Sequence, residues 1–73
     1  MYKVELRLRL QKSLAKLPAS ERQKLISVFT ELERNPRPGG VEKVRGTELY
    51  RIRHGNYRFI YAIDDKEQLV TLV

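Results

Sequence analysis

Residues 49–64 read LYRIRHGNYRFIYAID, Leu49 to Asp64, and this stretch decides the fold. Apolar and polar residues alternate with a period of two on both sides of Gly55-Asn56, the pattern of a β-hairpin. Gly55 and Asn56 suit a two-residue loop in a primed turn, because glycine accepts positive φ freely. That loop sets Arg53 opposite Arg58, Ile52 opposite Phe59, Arg51 opposite Ile60 and Tyr50 opposite Tyr61. One face then collects Tyr50, Ile52, Tyr57, Phe59, Tyr61 and Ile63, and the other Arg51, Arg53 and Arg58. Like charges facing each other across strands cost up to ~1 kcal/mol. The arrangement asks for a compensating anion, and it reads as a phosphate-binding surface.

Working outward, Tyr2 to Leu8 is expected as a strand, with Tyr2, Val4, Leu6 and Leu8 inward. Leu10, Leu14 and Leu17 follow at helical spacing, and Pro18 stops that short helix. Ser20 with Gln23 reads as a capping box for a second helix, whose buried stripe is Leu25, Val28, Phe29 and Leu32. Asn35-Pro36 ends it, since the residue before proline is pushed out of the α region. Asn35 to Gly40, NPRPGG, is a turn-rich connector, and Val41 to Gly46 reads as a loop or a short extended stretch. After the hairpin come a polar turn at Asp64 to Glu67 and a last strand from Gln68 to Val73. The expected fold class is α+β in the order β-α-α-β-β-β: an antiparallel meander joined by an N-terminal strand, with two helices packed on one face.

With 73 residues the chain is one domain with a small core. It has no cysteine for disulfides or for a structural zinc site, which fits a reducing cytoplasm. No run of 18 apolar residues occurs, and MYKVELRLRL alternates where a signal peptide would be continuously apolar. The expected location is cytoplasmic, away from membranes. Fifteen Lys and Arg against nine Asp and Glu give +6, a balance that favours anionic partners.

Six candidate residues, Lys43, Arg45, Arg51, Arg53, His54 and Arg58, fall within sixteen positions. Guanidinium groups give planar, bidentate donors that match phosphate oxygens and keep their charge. Arg51, Arg53 and Arg58 on one sheet face would hold an RNA backbone and stabilise charge developing on a phosphodiester. The same alternation also describes the solvated side of a one-sided sheet, with these arginines paired to Glu5 and Glu48. His54, the only imidazole, is a turn residue or an auxiliary proton carrier. Tyr50, Tyr57 and Tyr61 could stack on bases, but their register puts them in the core. No metal-ligand cluster, glycine-rich phosphate loop, nucleophile elbow or Cys/His dyad is present, so neither metal nor cofactor is expected.

The KSLAKLP helix (Lys12 to Pro18), the NPRPGG connector, the block VRGTELYRIRHGNYRFIYAID (Val44 to Asp64) and the closing LVTLV together resemble the RelE/ParE superfamily of toxins from toxin–antitoxin systems. The resemblance implies a compact toxin of microbial RNase type. In the RelE branch it implies an endoribonuclease (mRNA interferase) that cleaves mRNA on the ribosome without metal, by 2′-hydroxyl attack, and so inhibits translation. The basic residues of that branch's cleavage site map onto Arg51, Arg53 and Arg58, with Lys43 and Arg45 as further RNA contacts. A cognate antitoxin is the implied protein partner. The ParE branch implies DNA gyrase inhibition instead, and an inactive antitoxin-binding relative is the third reading. Family members continue past the last strand with a basic residue and a Tyr or His. The domain over residues 1–73 is therefore expected to lack that C-terminal segment.

Overall fold

A computed structural model describes all 73 residues. Seven elements follow in chain order: β1 (Lys3–Leu6), α1 (Leu8–Ala15), α2 (Ala19–Arg34), β2 (Glu42–Lys43), β3 (Leu49–His54), β4 (Tyr57–Asp64) and β5 (Leu69–Leu72). They form a five-stranded sheet in the order β1-β5-β4-β3-β2. β2 to β5 are an antiparallel meander, and β1 closes the sheet by pairing parallel with β5, Val4 opposite Val70 and Leu6 opposite Leu72.

The β3–β4 register is the one that the alternation dictates: Arg53 opposite Arg58, Ile52 opposite Phe59, Tyr50 opposite Tyr61. Gly55 turns the chain at φ 59°, while Asn56 keeps a negative φ, the sign pattern of a type II′ hairpin turn.

Both helices cover one face. Leu25, Val28, Phe29 and Leu32 of α2 and Leu14 of α1 meet Phe59, Tyr61, Val70 and Leu72 of the sheet in a nine-residue core. Phe29 and Phe59 pack edge to face, centroids 5.3 Å apart at 76°. Each such buried side chain is worth about 1.5–3 kcal/mol. The three tyrosines belong to this face: Tyr50 stacks on Tyr61, and Tyr57 on Phe59.

Two local expectations are corrected. Leu8 is the first residue of α1, not an inward strand residue, and is 63% exposed. The Arg7 amide makes the last rung to the Leu72 carbonyl at 3.0 Å, and the Arg7 carbonyl already accepts the Gln11 amide. Ser20 caps nothing, because α2 starts at Ala19 with Pro18 in the N-cap position, where its carbonyl accepts the Arg22 amide at 3.0 Å. Proline's fixed φ, −57° here, already sets the helix entry. Of the two readings offered for Val41 to Gly46, a loop or a short extended stretch, the second holds at β2, which adds an edge strand to the meander.

A candidate phosphate-binding cavity

The bare face of the sheet follows from the same alternation. Ile52 and Phe59 turn toward the helices, so Arg51, Arg53 and Arg58 turn away. All three line one concave cavity of about 220 Å³, together with Gly40 and Glu42. No apolar side chain contributes to its wall.

Glu42 reaches the cavity because β2 pairs with β3 so that Glu42 lies opposite Arg51. Its Oε2 accepts a hydrogen bond from Arg51 Nη2 at 3.0 Å. The sequence reading offered Glu5 and Glu48 as arginine partners, but Glu5 takes Lys3 at 3.5 Å and Glu48 takes Lys43 at 3.4 Å. Arg53 and Arg58 have no carboxylate within ion-pair distance although they face each other across the ladder. The cavity is therefore a cationic cleft with one carboxylate on its rim. Sequence reasoning missed Glu42, since a two-residue strand has no periodicity to read. The signal it left is the Val41–Lys43 stretch nine residues before Arg51, with Gly46 between as a turn residue.

The other candidates lie elsewhere. His54, one step along β3 from Arg53, sits on the other side of the strand and lines an adjoining cleft with Val28, Glu31, Pro38 and Gly39, which shares only Arg53 and Gly40 with the arginine cavity. Lys43 ends β2 and Arg45 lies within the turn that joins β2 to β3, both outside the arginine cavity.

The connector supplies the remaining wall, and a polar network holds it in place. Pro36 and Pro38 are buried, and the Tyr61 hydroxyl donates to the Pro36 carbonyl at 2.8 Å. Arg37 donates twice to Asp65, at 3.1 and 2.9 Å, and once to the Tyr50 hydroxyl at 3.3 Å, with its guanidinium 5.3 Å from that ring's centroid. The Tyr2 hydroxyl donates to Asp65 Oδ1 at 2.6 Å. Hydrogen bonding from Arg37, then from Tyr2, holds the Asp65 carboxyl below its usual range. Burial pushes the Tyr61 phenol up to about 12. Three residues beyond Arg37, Gly40 enters the cavity wall at φ 87°, a backbone conformation that suits glycine.

The comparisons with known proteins agree with this architecture. The family model of the ParE toxin of type II toxin–antitoxin systems, parDE, matches residues 4–73. Among solved structures, the RelE–RelB complex from Pyrococcus horikoshii OT3 is 31% identical at TM-score 0.86, over 97% of this chain and 88% of that one. The intact Escherichia coli RelBE complex is 27% identical at 0.82, over 99% and 90%. RelBE2 from Mycobacterium tuberculosis is 26% identical at 0.84, over 97% and 90%. No curated protein sequence matches the chain. Fold and family model together define a small α+β toxin of the RelE/ParE superfamily. Within that class the chain belongs to the ParE toxin family of type II toxin–antitoxin systems.

Proposed function

We propose that this toxin is a RelE-type endoribonuclease that cleaves mRNA on the ribosome, in the cytoplasm, and so stops translation. The observation that supports it best is the gathering of Arg51, Arg53 and Arg58 around one cavity. Arg53 and Arg58 grip the scissile phosphate and stabilise the extra negative charge of its transition state. Arg51 orients Glu42 through their 3.0 Å contact and adds to the field. Arginine does not give up its proton, so a proton acceptor must come from another group. Glu42 is the only carboxylate in the cavity wall and takes the proton from the ribose 2′-hydroxyl. The 2′-oxygen then bonds to phosphorus and the bond to the 5′-oxygen breaks. The products are a 2′,3′-cyclic phosphate and a 5′-hydroxyl, which receives its proton from Glu42.

A cognate antitoxin is the protein partner in this reading. The Pyrococcus horikoshii and Escherichia coli relatives are each seen in complex with a RelB protein. Beside the cavity, the bare face carries the half-buried Leu49, Ile60, Ala62 and Leu69, an apolar strip on which an acidic, amphipathic segment would seat. A second reading, inhibition of DNA gyrase, has in its favour that the matching family model is that of ParE.

The deciding experiment expresses the toxin in growing cells and maps transcript ends on translating ribosomes. Cuts bearing 2′,3′-cyclic phosphates, lost in Arg53→Ala, are the expected result. Intact transcripts with accumulating DNA breaks would establish the gyrase reading instead. Neither effect would leave an inactive, antitoxin-binding relative.

A further inference from the structure

The cavity does not account for most of the charge. Residues 7–16 hold four of the fifteen cations, Arg7, Arg9, Lys12 and Lys16, and none of the nine carboxylates, hence +4 of the net +6. None of the four is within ion-pair distance of an acid, and all are exposed. Arg9, Lys12 and Lys16 recur at i, i+3 and i+7, which aligns them on one side of α1, facing away from the inward Leu10 and Leu14. The helix dipole accounts for cations at the C-terminal end of α1. It does not account for Arg9 in the first turn, which holds no acid and where a positive charge is unfavourable. A local arrangement that costs stability points to a task outside the fold.

We infer that this stripe on α1 is a second nucleic-acid contact, one that binds a phosphate backbone independently of the arginine cavity. From Arg9 to Lys16 the helix rises about 10 Å, and one strand presents about three phosphates over that length, one for each cation. A membrane surface fits poorly, because the apolar side of α1 is already in the core and Leu8 alone is exposed beside the stripe. A protein partner fits poorly too, since such interfaces are anchored by apolar and aromatic groups that this surface lacks. The helices and the cavity lie on opposite faces of the sheet. A nucleic acid that satisfies both must therefore surround the toxin rather than pass along one side. The inference goes beyond the cleavage reading and holds whether or not the cavity cuts RNA.

The test measures binding of the full chain to a single-stranded 2′-O-methyl RNA, which cannot be cleaved, by fluorescence anisotropy between ~50 and ~200 mM salt. The variant is Arg9→Gln/Lys12→Gln/Lys16→Gln, with its melting temperature checked against the parent. Three lost phosphate contacts lower the slope of log K against log salt by about 2 and weaken binding about 100-fold at ~0.1 M salt. If the triple variant does not fold, each single glutamine variant is expected to lower the slope by about 0.7. An unchanged slope overturns the inference, even where ribosomal mRNA cleavage is observed. So does stripe-dependent binding to phosphatidylserine vesicles without stripe-dependent binding to RNA. A lowered slope in a protein that leaves mRNA intact supports the stripe and refutes the cleavage reading alone.

Discussion

Replacing Arg58 with threonine should make the protein more stable and less toxic at once. Arg58 faces Arg53 directly across the β3–β4 ladder, and neither has a carboxylate to neutralise it. A like-charged pair in that position costs up to ~1 kcal/mol, and solvent screening at this exposed site makes that an upper bound. Threonine is β-branched and suits an exposed strand position. Arg58→Thr therefore relieves the repulsion without opening the core. In a domain of this size a gain of ~1 kcal/mol raises the melting temperature by roughly 4–8 °C. The gain should shrink with salt, because the screening length falls from about 10 Å at 0.1 M to about 3 Å at 1 M. Thermal melts followed by circular dichroism at low and high salt measure it, beside growth arrest on induction. A variant that melts several degrees below the parent, or that arrests growth as fast, would refute the assignment of Arg58 to a ligand.

Glu42→Gln keeps a side chain of the same shape opposite Arg51 but cannot take a proton. Cleavage on ribosomes should fall by about 10²–10⁴-fold while RNA affinity holds or rises, and equal losses of both would mean that Glu42 serves only to orient Arg51. Tyr61→Phe leaves the buried Pro36 carbonyl without its donor and should cost about 1–3 kcal/mol, read from the urea midpoint. The parent should also lose stability from pH 10.0 to about 12, where the unfolded chain has ionised this phenol and the folded one has not; Tyr61→Phe removes its share of that loss and leaves the share of Tyr2, whose phenol is raised by its hydrogen bond to Asp65. Asp65 has a depressed pKa, so its stabilising effect is present above the ordinary carboxyl value of 3.8 and is lost as pH falls further. Asp65→Asn should destabilise the protein at pH 7 and show less acid dependence than the parent, and parallel acid titrations of the two would indicate that the Arg37 clamp carries no stability.

The hairpin was legible because three local signals agree there: the alternation, the glycine at the loop, and the run of aromatic and β-branched residues. Its register alone puts the arginines on the bare face. The α2 stripe was legible for the same reason, with Leu25, Val28, Phe29 and Leu32 all in the core. The start of α1 was not, because Leu8 continues the strand alternation although the Arg7 carbonyl already accepts the first helical hydrogen bond. Glu42 was missed since its placement depends on a two-residue pairing, and the Arg37–Asp65 clamp since it joins residues 28 apart with no periodicity between them.

The parallel seam between β1 and β5 has a consequence during synthesis. Residues 3–6 leave the ribosome early, and their neighbours in the sheet, residues 69–72, are made 66 positions later. At about 5–20 residues per second the first strand waits about 3–13 s for its seat. Over that interval β1 is an orphan, and no complete sheet exists to carry the arginine cleft. A nascent copy is thus disarmed by its own topology while it is still attached to the machine that we propose it attacks.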